Sequence, residues 1–171
     1  MKMSWEIDES IIDQICDAAE FQISDILPSE WAEQNRFMTS DVSAMEGMYT
    51  FNNSPYVREI VDFLSPSNPY RILAIMKGAQ LGLSTGFIEN GIGWIISQQP
   101  GNVLCLVGHD DLVEKAMGKI DNMIDTTGIR RLIHSNANRT KNNKSGDKDR
   151  SKEFTGGHLT LGPTNHKTLR Q

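Results

Sequence analysis

Arg71-Ile-Leu-Ala-Ile-Met76, Lys77-Gly-Ala-Gln-Leu-Gly-Leu-Ser84 and Thr85-Gly-Phe-Ile-Glu-Asn-Gly-Ile-Gly-Trp-Ile-Ile-Ser97 follow one another without a break, and their reading decides the fold. The first is a short apolar run of the kind that forms a strand buried on both faces. The second is a glycine-containing loop, and the third reads as a helix. After Pro100-Gly101 a second apolar run, Asn102-Val-Leu-Cys-Leu-Val107, predicts another strand. Asp110 then serves as the cap of a helix whose face is Leu112, Val113, Ala116, Ile120, Met123 and Ile124. Strands alternating with helices imply a parallel sheet joined by right-handed crossovers, hence an α/β fold.

Upstream the pattern is helical. From Ile7 to Phe21, the residues Ile11, Ile12, Ile15, Ala18 and Ala19 recur at helical spacing with acids opposite them. Pro28-Ser-Glu-Trp-Ala-Glu-Gln-Asn-Arg36 is a short helix with proline near its start, and an irregular stretch continues to Asn53. Ser54-Pro55 opens a further helix with Tyr56, Val57, Ile60, Val61 and Leu64 on its buried face; it stops before Ser65-Pro66-Ser67. The chain therefore divides into a helical front segment, residues 1–69, packing on an α/β part, residues 70–171. Within the latter, Ser135 to Lys152 has no apolar period and predicts a mobile basic loop. Phe154-Thr-Gly-Gly-His-Leu-Thr-Leu161 reads as a turn into a short strand that Gly162-Pro163-Thr164 breaks.

At 171 residues with 38% apolar content, the chain is long enough for one domain with a real core. Its longest apolar stretches are too short to cross a bilayer and its first residues lack a signal-peptide layout, so an intracellular setting is expected, with no membrane partner. Cys16 and Cys105, each in an apolar pattern, read as free buried thiols. The net charge of −5 conceals a local excess of cations: Arg130, Arg131, Arg139, Lys141, Lys144, Lys148, Arg150 and Lys152 crowd one segment. That segment is either a solvated loop or a phosphate-contacting surface for DNA.

A loop that leaves a buried strand and enters a helix can turn its backbone N–H groups toward a phosphate, where the helix dipole adds positive potential. Gly78 and Gly82 would let the backbone approach or adopt positive φ. Ser84 stands where the GxxxxGK[ST] pattern carries its Mg²⁺ ligand, with Thr85 as the fallback hydroxyl. Leu83 occupies the lysine position of that pattern, so the compensating cation has to come from Lys77, at the loop's other end. The alternative is a polar strand-to-helix connection with no ligand.

Pro28-Ser-Glu-Trp31-Ala-Glu, Ser54-Pro55-Tyr56-Val-Arg58-Glu-Ile60, Met76-Lys77-Gly-Ala-Gln80-Leu-Gly82-Leu-Ser84-Thr, Asp121-Asn-Met-Ile124 and Phe154-Thr-Gly-Gly-His-Leu159 with Gly162-Pro-Thr-Asn-His-Lys-Thr-Leu169-Arg170 occur in an order that resembles the large terminase subunit of lambda-type tailed phages. The resemblance runs from about Pro28 to the last residue and implies a P-loop NTPase-like parallel sheet with flanking helices, present only in part. It implies a motor ATPase with a deviant phosphate loop whose lysine lies at its start, here Lys77. ATP and Mg²⁺ are then the ligands, with Lys77, Gly78, Ala79, Gln80, Gly82, Ser84 and Thr85 around the phosphates. Tyr56 would lie near the adenine, or simply on its helix's buried face. Many relatives carry arginine where Gln80 stands, and an amide cannot replace a guanidinium at a transferring phosphoryl group, so Gln80 has no catalytic role.

The resemblance also implies double-stranded DNA, a small terminase subunit and the portal as partners, in the cytoplasm of the infected or lysogenic bacterial host. An Asp-Glu strand and nuclease acids are expected beyond Gln171, which would make this chain a fragment or remnant that does not hydrolyse ATP alone. Asp110-Asp111 follows a strand, but a helix-capping role explains it better than catalysis. The competing function is a non-catalytic module that binds DNA or other motor subunits.

Overall fold

A computed structural model describes residues 25–40, 43, 46–134 and 150–164. The helix expected over residues 7–21, Cys16 and most of the basic segment, residues 135–149, lie outside the described residues.

The front segment begins with α1, Pro28–Asn35. Proline at its first turn needs no N–H partner, and Glu30 reaches back to the Leu27 amide at 3.3 Å. The stretch expected to be irregular contains a small antiparallel pair, β1 (Phe37–Met38) with β2 (Gly47–Met48), and a 3-10 turn at Phe51–Asn53. Helix α2, Pro55–Asp62, buries Val57 and Val61. Tyr56 departs from its expected place on that face, because it sits about 100° round the helix from Val57 and is 48% exposed.

Residues 84–98 form one continuous helix in two parts. Ser84–Glu89 is a wide π-type turn, closed where the Asn90 amide bonds the Thr85 carbonyl, and α3 follows as Asn90–Gln98. Strand β3, Val103–Val107, leads to α4, Asp110–Thr126, and a 3-10 turn at Ile129–Leu132. Strands β4 (Ser151–Phe154) and β5 (Gly157–Pro163) form a hairpin, so Ser151 and Lys152 belong to a strand and Gly162-Pro163 ends β5 rather than interrupting it.

The three-stranded sheet has the order β3-β5-β4, with β3 parallel to β5 in the register Val103↔Leu159 to Val107↔Pro163. The result is a mixed α/β architecture containing a parallel pair. Its core joins Trp31, Val57 and Val61 from the front segment to Ile92 and Ile96 of α3, Val113, Ile120, Met123 and Ile124 of α4, and Leu159 and Leu161 of β5. The Trp94 indole N–H donates to the Ile26 carbonyl at 2.9 Å, tying residues before α1 to α3.

One expected strand is not formed. Residues 72–78 form no regular element, with Ile72 88% exposed and Met76 fully exposed, while Ile75 packs against the core. An apolar run becomes a strand only where neighbouring backbone completes its ladder. Among the described residues the sheet stops at β3, and no strand lies beside this run.

Candidate functional site

Residues Lys77 to Gly82 form an exposed loop before the π-type turn, while Leu83, between the two, is buried in the core. Gln80 has φ +58, Gly82 φ +72, and Leu83 returns to φ −62. A residue at positive φ directly before a right-handed one, as Gly82 stands before Leu83, is the kind of succession that can turn neighbouring amides toward one point. Gly82 thus has the positive φ foreseen for it; Gly78 does not, and Gln80 does instead. The Gly82 carbonyl accepts the Gly86 amide at 2.8 Å, so the loop joins the helix through a regular turn.

Helix α2 braces this loop. The Tyr56 hydroxyl donates to the Leu81 carbonyl at 2.9 Å, and Ser54 lies against Gly82. Of the two places open to Tyr56, near the adenine or on its helix's buried face, the structure excludes the second: the hydroxyl bonds the loop backbone and the ring is half exposed. Lys77 is exposed, and its ammonium donates to the carbonyl of Gly78 at 3.1 Å.

The two candidate metal-ligand hydroxyls have different surroundings. Thr85 donates to Glu89 Oε1 at 3.2 Å, and Glu89 Oε2 receives the Arg36 guanidinium at 2.9 Å. Ser84 is exposed, and its hydroxyl has no protein partner among the described residues. Two hollows open on either side of this turn. One, of about 410 Å³, has Gly82 and Thr85 on one wall and Met38, Met48 and Tyr49 on the other. The second, of about 330 Å³, runs from Ser84 and Ile88 to Cys105 and Val107 of β3 and Leu112 of α4. Burial pushes the Cys105 thiol and the Tyr49 phenol up, so both are neutral near pH 7.

The buried pair of Arg36 and Glu89 escaped the sequence reading. The two residues are far apart in the chain, and nothing local marks either as buried. Arg36 is completely buried and Glu89 is 5% exposed. Burial pulls the Arg36 pKa down while Glu89 holds it up.

Asp110 also departs from its expected role: His109 is the cap position, Asp110 is the first residue of α4, and its carboxylate pairs with Arg150 at 2.7 Å. Other members of the basic segment are similarly engaged, Arg130 with Asp125 at 2.6 Å and Lys152 with Asp121 at 2.9 Å. These pairs neutralise much of the positive surface described here. No helix among the described residues is long and apolar enough to cross a membrane.

Compared with known proteins, residues 43–170 match the family described as phage terminase large subunit gpA, ATPase domain. No curated protein matches the chain. The matched stretch takes in the Lys77 to Thr85 loop, the helix behind it and the three-stranded sheet, and it leaves α1 and β1 outside. Since it covers most of the sequence, the chain belongs to the phage terminase large subunit gpA family, through that family's ATPase domain.

Proposed function

We propose that this chain binds ATP with Mg²⁺ at the Lys77 to Thr85 loop, as the nucleotide-holding part of a motor that packages phage DNA. The observation that carries the reading is the exposed loop itself: Gln80 and Gly82, both at positive φ, lead into a helix start, with the exposed Lys77 ammonium, bonded only to the adjacent Gly78 carbonyl among the described residues, at one end and the exposed Ser84 hydroxyl at the other. A triphosphate carries several negative charges, and such a backbone cradle together with Lys77 would compensate them. Gly78, Ala79, Gln80 and Gly82 would supply amides, while Ser84 would ligate the metal and Thr85 stand next to it.

Mg²⁺ requires oxygen ligands and bridges phosphate oxygens, a demand that one serine hydroxyl and the triphosphate meet together. The 410 Å³ hollow beside Gly82 and Thr85 offers space for the nucleoside, and the Tyr56 hydroxyl keeps the loop in place from outside that hollow. The proposed setting of this loop is a P-loop NTPase-like parallel sheet with flanking helices. Hydrolysis by the chain alone is proposed to be slow or absent, since Asp110 is held by Arg150 and Glu89 by Arg36. Double-stranded DNA, a small terminase subunit and the portal are the proposed partners, in the cytoplasm of the bacterial host.

Titration with a fluorescent ATP analogue tests the reading. Lys77→Ala removes a charged donor, and hydrogen bonds to charged groups contribute roughly 1.5–3 kcal/mol, so affinity should fall by about ten- to a hundredfold. Binding that ignores the substitution would remove the nucleotide assignment. Affinity for DNA that varies steeply with salt, in a chain that takes up no nucleotide, would favour a non-catalytic binding module instead.

A further inference from the structure

The buried ion pair between Arg36 and Glu89 links the front segment to the turn behind the loop. Arg36 is held at its backbone, its amide donating to Ala32 at 2.9 Å and its carbonyl accepting from Tyr49 at 2.8 Å. From that anchored position its guanidinium reaches one Glu89 oxygen at 2.9 Å, while the other oxygen accepts the Thr85 hydroxyl at 3.2 Å. Between those contacts, Gly86 lies so close to Val57 and Tyr49 that a Cβ there would come within 2.6 and 2.8 Å of them. The inner side of the π-type turn is thus tied at 85, 86 and 89, whereas Ser84 at its outer start is free.

Stability alone does not account for such a pair. Desolvating two charges is expensive, and well-packed apolar residues often replace a buried ion pair with no loss. Moreover, Arg36 Nε and Nη1 are buried with no partner among the described residues, so the guanidinium is not optimally satisfied. The geometry is better suited to fixing one arrangement of the turn.

We propose that Arg36 and Glu89 are positioning residues: they hold the Ser84–Glu89 turn in its wide form and draw the Thr85 hydroxyl inward, leaving the Ser84 hydroxyl to meet a metal-bound triphosphate. The last clause rests on the nucleotide reading above. The pair also makes the loop's geometry depend on Arg36, which lies outside the stretch matched to the ATPase domain. Arg36 thereby acts on the site through Glu89 without touching the ligand.

The test compares wild type with Glu89→Gln, with the apolar pair Arg36→Met/Glu89→Leu, and with Ser84→Ala and Thr85→Ala. It reads melting temperature, amide hydrogen exchange across residues 85–90 without nucleotide, and the gain in ATP-analogue affinity on adding Mg²⁺. The apolar pair is expected to melt close to wild type, yet to exchange at 85–90 roughly tenfold faster. Its Mg²⁺-dependent gain should fall roughly tenfold, as when a partner that orients a metal ligand is lost. Should that variant refold poorly, Glu89→Gln keeps the shape and weakens only the charge, and the same exchange change is expected at smaller size.

Unchanged exchange at 85–90 in the variants would overturn the positioning role, as would a loss of melting temperature that lowers affinity equally with and without Mg²⁺. Ser84→Ala should abolish the Mg²⁺ gain; its survival there, with loss in Thr85→Ala, would overturn the choice of hydroxyl. A wild-type chain that binds no nucleotide removes the ligand half together with the nucleotide reading, and the exchange measurement alone then decides the role of the pair.

Discussion

Gln80 holds φ +58, a region where a side chain crowds the following carbonyl at a cost of about 1–2 kcal/mol, and no other described non-glycine residue does so. It lies in the middle of the candidate phosphate loop, and strain of this kind tends to gather at ligand sites. Gln80→Val should lower stability by about 1–2 kcal/mol, since a β-branched side chain tolerates this backbone least. Gly82→Ala should cost a similar amount despite having room, because the nearest atom to the added Cβ, Ser54 Oγ, is 3.6 Å away and only the φ of +72 opposes it. Chemical denaturation of both variants checks these values, and a neutral Gln80→Val would mean that the loop relaxes freely. The loop itself was readable from sequence: Lys77 lies at its start, Gly82 at its end and Ser84 at the opening of the helical turn that follows. Their neighbours were not. Nothing near Thr85 in the chain indicates that its hydroxyl turns toward Glu89, or that Arg36 stands behind that carboxylate, because both contacts depend on how α1 packs.

The helix behind the loop owes its place to close packing against α2. Gly86 is the point of nearest approach, and Gly86→Ala pushes a methyl into Val57 and the Tyr49 hydroxyl. Overpacking of this type costs about 1–3 kcal/mol, so a fall in melting temperature of that order is expected, and an unchanged melting temperature would show that the helices can separate without penalty. Helices α2 and α4 were legible because each carries an apolar stripe at helical spacing, and α1 because a proline stands in its first turn. The run Arg71 to Met76 was legible as apolar but not as largely solvent-exposed. A helix satisfies its hydrogen bonds internally, so local sequence is a good guide to it; a strand depends on partners elsewhere in the chain, and this run meets none among the described residues. Strand β3 is likewise a short apolar run and does pair, with β5.

Across the whole molecule, acid should act on two carboxylates that the fold keeps ionised. Burial alone would raise the Glu33 pKa, but the Phe51 amide and the Arg58 guanidinium outweigh it and bring the pKa below the ordinary glutamate range. Asp125 is lowered chiefly by its hydrogen bond from Arg130, whose own pKa rises in return. A carboxylate whose folded pKa is depressed adds stability that is complete above its unfolded value, about 4, and is lost as pH falls through the folded value. Denaturation midpoints should therefore decline below about pH 4, and less steeply in the double variant Glu33→Gln/Asp125→Asn; identical slopes would assign the acid sensitivity to other groups. The charge asymmetry of the sequence has a structural counterpart in the same region, where Arg130, Arg150 and Lys152 each face an acid of α4. By itself the sequence determined the helices, the β3 and β5 strands, the exposed loop with its lysine and serine, and the family, because these follow from periodicity, turn chemistry and a run of ordered motifs. Only the tertiary structure decided the burial of Arg36 against Glu89, the turning of Thr85 toward Glu89, the bracing of the loop by Tyr56 and the solvent exposure of Ile72, Leu73 and Met76. Each of those depends on backbone brought together from distant parts of the chain, and no local pattern encodes such an encounter.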